Sequence, residues 1–179
     1  SPALLYLAAA GVGRISLVDD DDLDLTNLQR QIAHATARVG MPKVESAAEA
    51  MRAINPDIRI ETHRLHADAE LLDRLVAGAD VVVDCCDNFA TRQAVNRACV
   101  AHGKPLVAGA AIRFDGQLSV YDTRDPASPC YACLFPPEAE FEETRCAVLG
   151  VFAPVVGTIG TLQASEALKL LAGITPSLA

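Results

Sequence analysis

The 179-residue chain has no tryptophan, and aromatic residues amount to only 4% of it. A core built from this sequence is therefore aliphatic and rich in alanine, and the 51% hydrophobic content is enough to form one. Surplus positive charge is also missing. A formal net charge of -8 argues against a basic face for nucleic-acid phosphates, and so against nucleic acid as a main partner. A nucleotide needs only a local cluster of cations and stays allowed. No apolar run approaches the roughly 20 residues of a membrane span, and no secretory leader is visible. Internal repeats and low-complexity tracts are absent. The six cysteines, at 85, 86, 99, 130, 133 and 146, are unevenly spaced through a regular pattern. That suits free thiols in a reducing cytoplasm better than a disulfide framework. Cys85 and Cys99 fall in apolar or helical patterns and read as core.

What is present reads as alternating strands and helices in one domain. Ser1-Pro2 opens a short helix that Gly11 closes. Arg14 to Asp19 is a strand. Pro42-Lys43 opens a helix through Ile54, with Val44, Ala47, Ala48, Met51 and Ile54 on one face. Ile58 to Thr62 alternates as a strand, and Asp68 caps a helix through Ala77 that buries Leu71, Leu72, Leu75 and Val76. Val81 to Asp84 reads as a fully buried strand, Ala90 to His102 as a helix, and Leu106 to Ala108 as another buried strand. The order predicts an α/β fold, a Rossmann-like doubly wound, mostly parallel sheet. An antiparallel extension follows, because Ile112 to Leu118 carries an Asp115-Gly116 turn signal between apolar residues. Residues 122 to 150 are loop-like. Pro154 opens a long apolar helix through Leu171, on which Gly157 and Gly160 suggest close packing.

The chain is organised around residues 17 to 31, LVDDDDLDLTNLQRQ. An apolar run ends in Asp19, at the carboxyl tip of a buried strand. Ligands of open α/β sheets bind outside such tips, and an acid on the second strand can hold a ribose. Asn27, Gln29 and Arg30 then place two amides and a guanidinium together, and guanidinium is suited to phosphate oxygens. By charge alone the same stretch is a solvated acidic loop. Val83-Asp84-Cys85-Cys86-Asp87-Asn88 delivers further oxygen ligands to the same sheet edge, of the type Mg²⁺ takes. The alternative is that Asp84 or Asp87 caps the next helix. Lys43 stands at a helix start, where the dipole also favours phosphate. Cys130-Tyr131-Ala132-Cys133 offers half of a tetrahedral zinc site, or two plain thiols, since no second C-x-x-C follows. Cys146, beside Arg145, is a candidate nucleophile or an incidental loop cysteine.

Together LTNLQRQ (25–31), PKVE (42–45), DCCDN (84–88), GAAI (109–112), CYAC (130–133) and GTLQA (160–164), in this order, resemble the ThiF/MoeB/HesA family, bacterial relatives of ubiquitin-activating enzymes. The resemblance covers nearly the whole chain. It implies an adenylyltransferase that binds ATP and Mg²⁺ and activates the C-terminal glycine of a ubiquitin-like sulfur carrier ending in Gly-Gly. The pathway would be molybdopterin or thiamine biosynthesis, and the assembly a homodimer. It further implies that Asp19 holds the ribose, that Thr26, Asn27, Leu28, Gln29, Arg30 and Lys43 form the phosphate segment, and that Arg30 and Lys43 neutralise departing charge. Asp87 becomes the Mg²⁺ ligand, with Asn88 beside the nucleotide. Cys130 and Cys133 become the first pair of a Zn²⁺ site, and Cys146 a covalent link to the carrier. Several family features have no counterpart: the glycine loop, an N-terminal segment with an Arg for the partner subunit, and the second zinc pair. The expectation is a single domain over 1–179, incomplete at both ends and impaired when alone. The other readings are an adenylating enzyme for a peptide or tRNA acyl group and a non-catalytic nucleotide-binding scaffold.

Overall fold

The computed structural model describes residues 1–138 and 150–175, and Cys146 lies outside them. The chain runs α1 (Pro2–Ala9), β1 (Arg14–Val18), two 3₁₀ turns (Leu25–Asn27 and Thr36–Arg38), α2 (Lys43–Ile54), β2 (Arg59–His63), α3 (Ala69–Ala77) and β3 (Val82–Asp84). It continues through α4 (Phe89–His102), β4 (Leu106–Ile112), β5 (Asp115–Tyr121), the short α5 (Tyr131–Leu134) and α6 (Ala153–Leu171).

The fold is α/β, with parallel pairing and an antiparallel extension. β1 pairs with β2 and β3 with β4, both parallel, while β4 and β5 form an antiparallel hairpin in register from Leu106↔Tyr121 to Ile112↔Asp115. Among the described residues β1 and β3 are not hydrogen-bonded to each other, so the strands form a two-stranded and a three-stranded sheet. One core joins them. Ile15 and Leu17 of β1 pack with Val107 and Val120 of the second sheet beneath α1, α2 and α6. A second core, on the other face of β3 to β5, joins Leu72 and Val76 of α3 to Val95 and Cys99 of α4. The alternation of β4 follows from the pleat: Val107 enters the first core, Leu106 and Ala108 the second. The scarce aromatics concentrate in that second core, where Phe89, Tyr121, Tyr131 and Phe135 stack around α5.

Several expectations are corrected. β3 is only partly buried at Val82 and Val83, because one of its edges has no strand beside it among the described residues. Leu75 is half-buried, Ile54 is 46% exposed, and Cys85 lies at the surface, whereas Cys99 is fully buried. Gly160 does pack closely, against Pro2 and Ala3 of α1, but Gly157 faces open space. The hairpin turn is Arg113-Phe114, with Arg113 at φ 51°, and Asp115-Gly116 lies inside β5. The glycine is there for a different reason: α6 crosses so closely that a Cβ at 116 would sit 2.6 Å from Ile159 Cγ1 and 3.0 Å from Val155 Cγ1. Gly116→Ala is therefore expected to destabilise the fold by about 1–3 kcal/mol through overpacking. Urea denaturation measures this, and an unchanged midpoint would show that α6 has room to retreat.

Candidate active site

Three segments meet at the start of α1. Ser1, whose Oγ accepts the Ala33 N–H at 2.8 Å, has its backbone nitrogen near both Asp19 and Cys85. The carboxyl ends of β1 and β3, the amino end of α1 and the end of the 24–33 loop thus face one region. Ser1 was expected to cap α1, but its hydroxyl holds that loop instead. Orphan N–H groups and the helix dipole make such an end suited to anions.

The acidic loop after β1 is built by its own side chains. Asp24 caps the first 3₁₀ turn: its carboxylate accepts from Thr26 N at 2.8 Å and Thr26 Oγ1 at 2.6 Å, while Asn27 Oδ1 accepts the Asp24 N–H. These bonds from Thr26, the hydroxyl first and then the amide, hold the Asp24 carboxyl below its usual range. Thr26 and Asn27 therefore shape the turn. Leu28 and Arg30 are half-buried and Gln29 is exposed; Arg30 Nη1 reaches the Thr26 carbonyl at 3.3 Å.

Lys43 is brought to this loop by backbone pairing. Lys43 N donates to Asp21 O, Leu23 N to Met41 O and Gly40 N to Leu23 O. Its ammonium lies 2.5 Å from Asp21 and 4.0 Å from Asp19, with the side chain only 13% exposed. Burial pushes the Asp19 carboxyl up; the Asp21 amide and then Lys43 pull it partly back. The carboxylates of Asp19, Asp20 and Asp21 cluster within 4.8 Å of one another, and the Lys43 ammonium offsets their charge.

His34, behind this loop, bonds through Nδ1 to the fully buried Ser46 hydroxyl at 2.8 Å. Burial first, then the nearby positive charges of Arg38 and Lys43, lower its pKa to about 4. The unfolded chain, with an ordinary His near 6.5, binds the extra proton between those values. Stability is thus expected to fall as pH drops from 6.5 toward 4 and to change no further on this account below that. Urea midpoints at pH 7.5 and 5 test this, with His34→Gln expected to flatten the dependence; equal dependence in the variant would count against His34.

The two acids of the second motif separate sharply. Asp84 is buried and ion-paired: Arg92 Nη1 lies 2.9 Å from its Oδ2, and its Oδ1 accepts the Cys86 N–H. It is therefore not a free oxygen ligand. Neither acid caps α4; Asn88 does, through Oδ1 and the Thr91 N–H at 2.8 Å. Asp87 is exposed. Two further residues, Arg92 and Gln163, hold the site together although their local sequence does not single them out. Gln163, inside the GTLQA motif on α6, donates through Nε2 to the carbonyls of Asp84 at 2.7 Å and Val107 at 3.3 Å, tying the ends of β3 and β4. The only sequence signal for Arg92 is its place four residues after Asn88, one helical turn on.

Cys130 and Cys133 flank the start of α5 with their sulfurs 3.7 Å apart. Two thiolates on one tetrahedral zinc are about 3.8 Å apart, given bonds of about 2.3 Å, so the pair fits half of such a site. Burial raises the Cys130 thiol, but hydrogen bonds from Asn96, from Cys133 and from the local backbone outweigh it, and the net shift is downward. Asn96 is buried and holds both ends of the motif, donating to Cys130 Sγ and accepting the Tyr131 N–H at 2.9 Å. No helix among the described residues is long and apolar enough to cross a membrane.

Comparison with known proteins places the sequence in one family. The sulfur carrier protein ThiS adenylyltransferase of Escherichia coli K12 is 49% identical over 178 residues, covering 99% of this chain and 70% of that protein. The molybdopterin-synthase adenylyltransferase of the same organism is 51% identical over 169 residues, covering 94% and 67%. The SAMP-activating enzyme E1 of Haloferax volcanii is 47% identical, covering 96% and 63%. Among solved structures, E. coli MccB with MccA-N7isoASN superposes with a TM-score of 0.84 at 24% identity over 98% of this chain, which shows the shared fold; the chain spans 54% of MccB. The ThiF family matches residues 1–179 in full, and the chain belongs to it.

Proposed function

We propose that the protein uses ATP to adenylate the C-terminal glycine of a ubiquitin-like sulfur carrier ending in Gly-Gly, in molybdopterin or thiamine biosynthesis. The observation that carries the reading is the convergence at α1: a Lys43 ammonium held by acids after β1, an anion-suited helix end, and an exposed Asp87 after β3. The carrier carboxylate attacks the α-phosphorus of ATP, the bond to the β-phosphate breaks, and pyrophosphate leaves with its electron pair. Little of this needs covalent help from the protein; placing charges where charge develops is the task.

Asp19, at the tip of β1, accepts from the ribose. The turn shaped by Asp24, Thr26 and Asn27 presents Leu28, Gln29 and Arg30 to the phosphates. Arg30 and Lys43 supply positive charge as pyrophosphate departs; Lys43 trades Asp21 for phosphate oxygen. Asp87 holds Mg²⁺, whose charge, when bound, neutralises the phosphate oxygens, and Asn88 starts α4 beside it. Cys146 is the candidate for a covalent carrier adduct. Cys130 and Cys133 hold one side of a structural Zn²⁺. The described cysteines are free thiols, which accords with work in the cytoplasm.

ATP–pyrophosphate exchange on the protein at its full native length tests the activity. Exchange that requires one Gly-Gly-ended carrier is the expected result and identifies the pathway. Nucleotide binding without exchange for any carrier would favour a scaffold role. Zinc is tested separately: about one equivalent per chain is expected by elemental analysis, falling sharply in Cys130→Ser, since loss of a thiolate ligand opens the site. A metal-free native protein would remove zinc from the account.

A further inference from the structure

Arginine is seldom buried, yet the side chain of Arg92 is only 10% exposed and that of its partner Asp84 only 1%. From the second turn of α4 the guanidinium reaches back to three segments. Nη1 donates to Asp84 at the end of β3; Nη2 donates to the Gly109 carbonyl of β4 at 2.9 Å and to the Cys86 carbonyl in the loop between β3 and α4. The second Asp84 oxygen accepts the Cys86 N–H at 2.8 Å. Both backbone groups of Cys86 are thus held by one buried ion pair. The next residue is Asp87, and the residue after it, Asn88, is fixed by its cap. The Asp87 backbone is clamped on both sides while its carboxylate stays exposed.

A buried ion pair is often no more stabilising than an apolar pair of equal volume. An apolar pair could not grip the Cys86 amide and carbonyl. We propose that Arg92 is a positioning residue: with Asp84 it fixes where the Asp87 carboxylate stands, without touching nucleotide. The functional side of this rests on the reading of Asp87 as the Mg²⁺ ligand. It also explains the spacing of the DCCDN motif in this chain. The first acid anchors the guanidinium, the second residue after it is gripped, and the third presents the working carboxylate.

The test uses Arg92→Met and Arg92→Lys in the protein at its native length, with two readouts. Hydrogen exchange of the nucleotide-free protein reads the clamp itself. Amides of residues 85–91 are expected to exchange about tenfold faster in Arg92→Met, as local opening becomes easier, with β1 unchanged. Carrier-dependent ATP–pyrophosphate exchange reads the consequence. The Mg²⁺ concentration for half-maximal rate is expected to rise about 10–100-fold, the range for groups that orient a metal ligand. Arg92→Lys keeps the charge on Asp84 but cannot serve both carbonyls, so it is expected to fall between. It also carries the test if the Met variant does not fold. Unchanged hydrogen exchange at 85–91, an unshifted Mg²⁺ requirement, or a Lys variant indistinguishable from wild type in both readouts overturns the proposal. Asp87→Ala separates the two readings. If that variant keeps full activity, the role of Asp87 falls, while hydrogen exchange still decides the clamp.

Discussion

Asp84→Ala is expected to destabilise the protein by about 3–5 kcal/mol, the usual result of removing one partner from a buried ion pair. The physical reason lies in what remains. Arg92 would keep its charge in a site that is nearly closed to water, holding only the two carbonyls of Cys86 and Gly109. Guanidinium does not lose its proton in proteins, so it cannot escape the penalty by becoming neutral. Against a typical total of about 5–15 kcal/mol this is a large share. In a domain of this size it corresponds to a drop of about 6–20 °C in Tm. Asp84→Asn keeps an acceptor for Cys86 N–H and a polar contact for Arg92, and is expected to lose less. Thermal unfolding followed by circular dichroism measures both. A Tm for Asp84→Ala within about 2 °C of wild type would mean that the pair is not held as the geometry has it.

Three residues on, the same substitution is expected to do the reverse. Asp87→Ala should leave Tm almost unchanged, because exposed positions away from packing and capping shift stability by no more than about 0.5 kcal/mol. Asn88, not Asp87, supports the start of α4. Carrier-dependent ATP–pyrophosphate exchange should fall about 10²-fold or more, the scale seen when a group stabilising developing charge is removed. Melting curves and exchange rates on the same preparations give the comparison. A folded Asp87→Ala protein with near-normal exchange would take Asp87 out of the mechanism. A large loss of Tm would show that it has a structural task instead.

The contrast between these two acids shows how far the site could be read without coordinates. Both follow one apolar strand, both are aspartates, and both suit either a cation or a helix cap. Nothing in the local pattern says that the first is sealed against an arginine eight positions later, or that the amide of Asn88 takes the cap. The hairpin teaches the same lesson. Asp-Gly between apolar residues is a turn signal, and a hairpin is there, but Gly116 answers to the crossing of α6 rather than to the turn. Lys43 belongs here too. Its place at the start of α2 was legible, while its contact with Asp21 depends on pairing between segments some twenty residues apart.

The sequence by itself determined the class of the fold, the order of its elements and the family. These depend on local information: apolar period, caps and turn residues act within a few positions, and ordered motifs accumulate along the chain. Only the tertiary structure decided which polar groups are buried together and which face solvent. That depends on Arg92, Gln163 and Asn96 reaching across elements to strand ends, loop carbonyls and a cysteine sulfur. Such contacts leave no periodic trace in the chain, since what fixes them is the requirement that every buried charge and amide find a partner once the layers close.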